Sequence, residues 1–227
     1  EVLKPFLIII LATILCDIKS NILFKYLISI FLISFISLLL IAQPDIGQTL
    51  LVIFCWAVLI FTSGINIYIL LAIFIAGASL LTYLIIYVPR FDYIQGRIFS
   101  FFNRETGTHN FQSDKAIESI TSGGFFGKGI GEGVLKNRVP EAHTDYIISV
   151  ISEEFGVVAI MLILLLFLIL IYMVFKKISF ETNDKVKLIL IGSISLILMQ
   201  ATIHIGVNIR LFPTTGMTLP FLSYGGS

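Results

Sequence analysis

The sequence predicts an all-α protein that crosses a membrane several times. Of its 227 residues, 57% are hydrophobic and 13% are charged, and its mean hydropathy is +1.02. A soluble domain is about half apolar and about a quarter charged. Apolar runs of about 20 residues, the length that a helix needs to cross a bilayer, recur along the chain. These runs are continuously apolar, without the alternation that membrane β-strands require.

Six runs are predicted to span the membrane. They cover residues 2–15, 22–42, 49–62, 67–88, 146–175 and 186–207. The first is cut short by the start of the chain, the third is short, and the fifth is long enough to tilt or to extend past the bilayer. Because the chain begins at Glu1 without a methionine and stops at Ser227 directly after a glycine pair, we expect a fragment of a longer protein, with one membrane domain over residues 1–227.

Lysines in the short loops set the predicted orientation. The turn between the last two runs is flanked by Lys176, Lys177, Lys185 and Lys187. Such clusters mark the cytoplasmic side, so counting back along the spans places residues 89–144 outside. This long loop carries seven lysines and arginines, against the simple rule, although its six acids nearly balance them. Long loops cross membranes largely regardless of charge. The loop is interpreted either as a solvated mixed-charge loop or as one whose cations, such as Arg97 and Lys128, meet an anionic headgroup.

Composition argues against two other classes of site. The net charge of +1 lacks the concentrated basic excess of a nucleic-acid-binding protein. Cys16 and Cys55 both lie in apolar runs without metal-ligand or redox spacing, and they are interpreted as small buried hydrophobic residues.

The most concentrated polar motif stands directly before the fifth run. Residues 139–146 read Val-Pro-Glu-Ala-His-Thr-Asp-Tyr, so Glu141, His143 and Asp145 lie at the predicted membrane surface. Charge is costly there unless it is used or paired. Asp145 is explained either as a helix N-cap, which does not account for its two neighbours, or as a carboxylate that acts as a general base.

Two further polar groups are predicted on the same outer side. Glu1 and Lys4 are three residues apart and share a helix face, where they either pair with each other or line a cavity open to the outer leaflet. Asp45 lies in Gln-Pro-Asp-Ile-Gly-Gln, residues 43–48, and is either an ordinary turn residue or part of the site.

Polar residues inside the last two runs require partners. Glu153 and Glu154 are adjacent acids within a span, which implies a buried partner or a water-filled cavity. His204 is interpreted as a hydrogen-bonded interior histidine. The breaker-rich segment 213–227 is predicted to line a cavity, because non-helical backbone at membrane depth survives only inside protein or beside water.

The outer loop is predicted to hold a short amphipathic helix at residues 116–120. Six glycines follow it within residues 122–133. The pattern is neither a Walker P-loop nor a dinucleotide fingerprint, because no Gly-Lys-Ser or Gly-Lys-Thr and no preceding strand accompany it. This glycine-rich loop is therefore either part of a site or a loop folded back against the membrane.

Four segments together resemble the SEDS family (shape, elongation, division and sporulation) of peptidoglycan glycosyltransferases. They are Gln-Pro-Asp-Ile-Gly at 43–47, Ser-Gly-Gly at 122–124 with Gly-Lys-Gly at 127–129, Pro-Glu-Ala-His-Thr-Asp at 140–145, and Leu-Pro-Phe-Leu-Ser-Tyr-Gly-Gly-Ser at 219–227. Glu-Ala-His-Thr-Asp at 141–145 and Gly-Met-Thr-Leu-Pro at 216–220 are more similar to the division branch, FtsW, than to the elongation branch, RodA. One departure is Ile46-Gly47-Gln48, where the family commonly has Leu-Gly-Thr; we expect it to be neutral.

The resemblance implies polymerisation of lipid II, a disaccharide-peptide carried on undecaprenyl diphosphate, through an inverting β-1,4 bond. It assigns the catalytic carboxylate to Asp145. The substrate-binding residues are then predicted to be Glu1, Lys4, Asp45, Arg97, Lys128, Glu141, His143 and Ser223. No cofactor is firmly implied; the alternative is a divalent Mg or Mn ion held loosely by carboxylates and the diphosphate.

The resemblance also implies a setting in the bacterial cytoplasmic membrane at the division septum. Implied partners are a class B penicillin-binding protein, which crosslinks the peptides, and other division proteins. Complete members have about ten helices, of which this chain would hold the fourth to the ninth, so the fragment is expected to be inactive alone. Two alternatives stay open: a lipid II transporter and a non-catalytic division scaffold.

Overall fold

The structure is a computed structural model that describes residues 3–17, 22–102, 108–134 and 142–224. Every regular element within these ranges is helical, which confirms the predicted all-α fold. The helices are α1 (Leu3–Asp17), α2 (Ile22–Ala42), α3 (Ile46–Thr62), α4 (Ile67–Tyr87), α5 (Asp92–Phe102), α6 (Thr108–Gly123), α7 (Ile147–Phe180) and α8 (Asp184–Asn208), with a short 3₁₀ turn at Pro89–Phe91 between α4 and α5.

Four of these helices, α2, α4, α7 and α8, are long and apolar enough to cross a membrane. The apolar helices α1 and α3 are shorter. Helix α3 begins three residues before the predicted start of the third run, because the Asp45 carboxylate accepts a hydrogen bond from the Gln48 amide at 3.0 Å and so caps the helix. The outer loop is more ordered than predicted: it contains α5, and the expected helix at 116–120 lies inside the longer α6.

The chain divides into two compact units. Unit 1 comprises Glu1–Gln95 and Tyr172–Met199. Its core forms where α1, α2 and α3 pack together, with Leu11, Leu59 and Ile60 fully buried. The Trp56 indole N–H donates to the Ser29 hydroxyl at 3.4 Å, so the one polar atom of this large side chain has a partner inside the core.

Unit 2 comprises Gly96–Ile171 and Gln200–Ser227. A small apolar cluster of Ile148, Ala201 and Leu219 packs at its centre. The fifth predicted run, 146–175, corresponds to α7. This helix is broken at Gly156, where φ is 79° and ψ is −176°. This backbone conformation is open to glycine and very costly for other residues.

The break in α7 is filled by the glycine-rich loop, defined here as residues 123–134. In an uninterrupted helix the amides of Val157 and Val158 would donate to the carbonyls of Glu153 and Glu154. Instead these two carbonyls accept from Lys128 and Gly129 at 2.9 and 3.1 Å. The two amides donate to Gly124 and Phe125 at 3.0 and 3.3 Å. The loop thus replaces two helical hydrogen bonds by four bonds of its own.

Candidate active site

A tight turn at residues 142–146 leads into α7 and carries Asp145. Ala142 and Tyr146 are buried at its two ends, and Asp145 is half-buried between them. The closing segment, residues 211–224, holds the turn by its main chain. The Ser223 hydroxyl donates to the Thr144 carbonyl at 2.8 Å, and the Tyr224 amide donates to the His143 carbonyl at 3.2 Å.

Helix α8 supports both segments through a polar stripe, formed by Gln200, His204 and Asn208. These residues are four apart and therefore share one helix face. Gln200 Nε2 donates to the Thr218 carbonyl at 3.0 Å, and His204 Nδ1 lies 2.8 Å from the Met217 carbonyl. A carbonyl only accepts, so the proton sits on Nδ1. This confirms His204 as a hydrogen-bonded interior histidine.

Asn208 is the fully buried end of the stripe and the residue that ties α8 to the start of α7. Its Nδ2 donates to the Asp145 carbonyl and to the His204 carbonyl, both at 2.9 Å. Its Oδ1 accepts from the Ser149 hydroxyl at 2.7 Å and from the Ser149 amide at 3.3 Å. The Ser149 amide lies in the first turn of α7 and donates both to Asn208 and to the Tyr146 carbonyl, the latter at 3.0 Å. Asn208 therefore caps α7 from another helix and fixes the main chain of Asp145.

We expect Asn208→Ala to lower the free energy of unfolding by about 3 kcal/mol, because several buried polar groups lose partners at about 1–3 kcal/mol each. Asn66→Ala is the control, since Asn66 caps α4 with one exposed bond to the Tyr68 amide and should cost about 1 kcal/mol. Thermal unfolding in detergent measures both variants. Equal shifts in melting temperature would show that Asn208 is only an ordinary cap.

The Asp145 cavity, of about 100 Å³, opens between the turn, α5, α6 and the closing segment. Its walls are Arg97, Gln112, Asp145, Tyr146, Val207, Thr214, Thr215, Gly216 and Met217. Arg97 Nη1 donates to the Thr214 carbonyl at 3.3 Å, which holds this guanidinium at the cavity wall. The Asp145 carboxylate flanks Gly216, where a Cβ would lie 3.6 Å from Oδ2. One carboxylate and one fixed cation therefore face a shared space.

A second cavity lies within unit 1 and has a volume of about 590 Å³. Most of its wall is apolar, from α1, α2 and α3, while Lys4, Gln43, Asp45 and Gln48 add polar groups. Lys4 is buried, and Asp45 is committed as the α3 cap on one of its oxygens. Asp45 therefore has a local structural role as the cap of α3. It also lines the cavity together with Lys4.

Lys128 lies apart from the Asp145 cavity, in a polar pocket of about 190 Å³ between α6, α7 and the glycine-rich loop. Its ammonium is 2.9 Å from a carboxylate oxygen of Glu153, whose side chain is 2% exposed. Glu153 thus has a charged partner beside a polar pocket, but the Lys128 side chain is 36% exposed, so the expected burial of that partner is wrong. A buried carboxylate is costly unless it is paired, so Lys128 stabilises this part of α7.

The remaining predicted residues divide into two groups. Glu1 and Glu141 lie outside the described residues. His143 is exposed, and its carbonyl contacts Tyr224. Ser223 accepts from the Leu219 amide at 2.8 Å while donating to Thr144, so its hydroxyl joins two segments of the site. The substrate-binding roles of these residues stay predictions.

Within the described ranges, no three His, Cys, Asp or Glu side chains come together as a metal site. The carboxylate of the Asp145 cavity is accompanied by a cation and amide groups instead. These residues do not form a protein cage for a divalent ion. The supporting roles that sequence reasoning missed are those of Gln200 and Asn208; the four-residue spacing of polar side chains in an apolar helix was the available signal. Met217 belongs to the segment 213–227 that was predicted to line a cavity.

Comparison with known proteins identifies the family. A family model for FtsW, RodA and SpoVE, described as cell cycle protein, matches residues 1–227. The chain belongs to the FtsW/RodA/SpoVE family. It is 37% identical over 204 residues to a probable peptidoglycan glycosyltransferase FtsW of Caulobacter vibrioides, covering 87% of this chain and 50% of the relative. A protein of the same description from Francisella salina is 39% identical over 206 residues, covering 86% and 50%.

Two solved structures of this family are similar to the chain. One is described under structural coordination of polymerization and crosslinking by a peptidoglycan synthase complex. Its TM-score is 0.77 at 26% identity, and the match covers 98% of this chain and 62% of that one. The other is an Asp-to-Ala mutant of the Thermus thermophilus rod shape determining protein RodA, with a TM-score of 0.64, 26% identity and coverage of 98% and 57%. The chain spans about half the length of the curated FtsW relatives it matches.

Proposed function

We propose that the protein to which this chain belongs is a peptidoglycan glycosyltransferase that polymerises lipid II during cell division. The observation that carries this proposal is the Asp145 carboxylate, held by its main chain at a cavity that also contains the Arg97 guanidinium. The curated relatives described as probable peptidoglycan glycosyltransferases support the reaction class. Both of these relatives carry the FtsW name, which supports the division branch and a place at the septum.

In the proposed reaction Asp145 takes the proton from the 4-hydroxyl of the acceptor sugar as its oxygen attacks the anomeric carbon of the donor. The bond from that carbon to the diphosphate breaks on the opposite face, so the configuration inverts. Negative charge gathers on the departing undecaprenyl diphosphate, and a fixed cation aimed at that charge stabilises the transition state. Arg97 supplies one such cation. A Mg or Mn ion would be held here by Asp145 and the diphosphate together, without a protein cage.

The unit 1 cavity suits the lipid part of such a substrate. Its apolar walls along three helices match an isoprenoid chain, and the buried Lys4 matches a phosphate. A class B penicillin-binding protein is the proposed partner, in line with the similar structure from a complex that polymerises and crosslinks peptidoglycan. The activity and partner belong to the longer protein, and the chain alone is proposed to be inactive.

A transporter of lipid II is the second candidate, because a broken helix such as α7 is typical of transport paths. In this protein, however, the backbone groups freed at Gly156 are bonded by the glycine-rich loop. A polymerisation assay separates the two candidates: the full-length protein and its transpeptidase partner are incubated with lipid II in liposomes. Glycan ladders on gels support the glycosyltransferase, whereas lipid II translocation without ladders supports the transporter.

We expect Arg97→Ala to slow polymerisation about a hundredfold, the cost of removing one preorganised donor from a developing negative charge. Arg97→Lys keeps the charge without the planar fork and should fall between the two rates. Lys187→Ala removes an exposed cation that pairs with Asp184 and is the matched control. The measurement is the initial rate of lipid II consumption by each variant. Equal rates for Arg97→Ala and Lys187→Ala would show that Arg97 takes no part in the mechanism.

A further inference from the structure

The glycine-rich loop carries an apolar tip that nothing in the described residues covers. Phe125, Phe126 and Ile130 are 75%, 85% and 81% exposed. Three large apolar side chains so exposed within six residues are unusual on a loop, and exposed apolar patches mark a membrane or protein contact. The loop is not a loose segment, because its main chain is bonded to α7 on both sides of the Gly156 break.

These bonds fix the level of the loop along α7, and the sequence of α7 fixes that level relative to a bilayer. Residues 157–175 number 19 and contain no charged side chain. At 1.5 Å per residue they extend about 28 Å, close to the hydrocarbon thickness of a bilayer. Glu153 and Glu154 stand before them and Lys176 and Lys177 follow them. The hydrocarbon boundary therefore falls at the Gly156 break.

We propose that Phe125, Phe126 and Ile130 insert into the outer leaflet of the membrane and anchor the extracytoplasmic loop at the lipid interface. The loop is bonded to residues 153–158, which places its tip at the boundary rather than in bulk water. Its one cation, Lys128, turns back toward Glu153 and does not accompany the apolar tip. Apolar side chains of an interfacial segment enter about 5–10 Å below the headgroups. The occupant of this surface is thus lipid, and the inference depends on membrane insertion of α7, independently of the proposed activity.

Depth-dependent quenching of a single tryptophan tests this anchor. The full-length protein is placed in phosphatidylcholine nanodiscs after its native tryptophans, Trp56 among them, have been replaced by phenylalanine. Phe126→Trp is the reporter, Leu166→Trp in the middle of the apolar run is the lipid-facing control, and Thr182→Trp in the exposed cytoplasmic turn is the water-facing control. Quenching is compared between lipids brominated near the glycerol end of the acyl chain, lipids brominated near its methyl end, and aqueous acrylamide.

The reporter at 126 is expected to lose about half of its emission to bromine near the glycerol end and less to bromine near the methyl end, as an interfacial side chain does. Leu166→Trp should show the reverse order, and Thr182→Trp should respond to acrylamide alone. Strong acrylamide quenching at 126 would place the tip in water, and protection from all three quenchers would place it under protein; either result overturns the proposal. Ile130→Trp is a second reporter on the same loop and should follow the same order as 126.

Discussion

Asp145→Asn is expected to abolish glycan ladders while leaving the fold intact. An asparagine keeps the size of the side chain but does not accept a proton, and a general base contributes about 10²–10⁴ in rate. The bonds that hold the turn run through main-chain carbonyls of residues 143, 144 and 145, which the substitution leaves unchanged. Melting temperature should therefore stay close to that of the wild type, so lost activity reports on chemistry.

The measurement is lipid II polymerisation by the full-length protein with its transpeptidase partner. Asp184→Asn is the matched control, because Asp184 is an exposed carboxylate at the start of α8 whose ion pair with Lys187 lies on the surface. Ladders from Asp145→Asn at the control rate would move the base elsewhere, with Glu141 and Glu1 next in order. Ladders from neither protein, with translocation or division function retained, would favour the transporter or the scaffold.

Gly156→Ala is expected to cost more than about 3 kcal/mol of stability, because it combines two penalties. The first is the backbone, since φ of 79° with ψ of −176° is open to glycine only. The second is space: a Cβ there would overlap the Phe125 carbonyl of the glycine-rich loop. A Cβ there would also overlap the Gly127 amide nitrogen. Because these are main-chain atoms of the loop, they are unable to move aside without breaking the bonds that fill the helix break.

Gly77→Ala is the matched control. Gly77 lies inside α4, where a Cβ would meet nothing within 4 Å, and alanine is the better helix former. Gly77→Ala should leave the melting temperature in detergent unchanged or slightly raised, while Gly156→Ala should lower it strongly or prevent expression. A melting temperature for Gly156→Ala equal to that of Gly77→Ala would show that the loop and α7 are not joined as described.

Features that follow from local chemistry were predictable from the sequence. The continuously apolar runs gave the helices, and two acids inside a span demanded the partner that Lys128 provides to Glu153. The Glu1 and Lys4 spacing pointed to Lys4 as a cavity residue, and the motifs at 43–48 and 140–145 pointed to Asp45 and Asp145 as site carboxylates; the structure places all three residues at cavity walls.

Features that depend on tertiary contacts were not predictable from local patterns. Gly156 reads as an ordinary small residue in a membrane helix, and only the loop about 30 residues earlier explains why the helix opens there. Asn208 stands near the end of a span, where a polar residue is unremarkable. Its role as a cap for α7 requires knowing that Ser149 and Asp145 lie across from it. Likewise, the sequence did not reveal that Arg97 and Thr214 meet.

The bonding of the glycine-rich loop to α7 has a consequence for biogenesis. If residues 89–144 lie outside, as the lysine pattern predicts, the loop is synthesised before α7, and its main chain is available as a bonding partner when the helix enters the bilayer. Without the loop, α7 would either close into a continuous helix at Gly156 or leave the amides of Val157 and Val158 and the carbonyls of Glu153 and Glu154 unbonded at the lipid boundary, at a cost of several kcal/mol for each group. Because the glycine-rich loop precedes α7 in the chain, the groups that bond to the helix break are synthesised before the break itself.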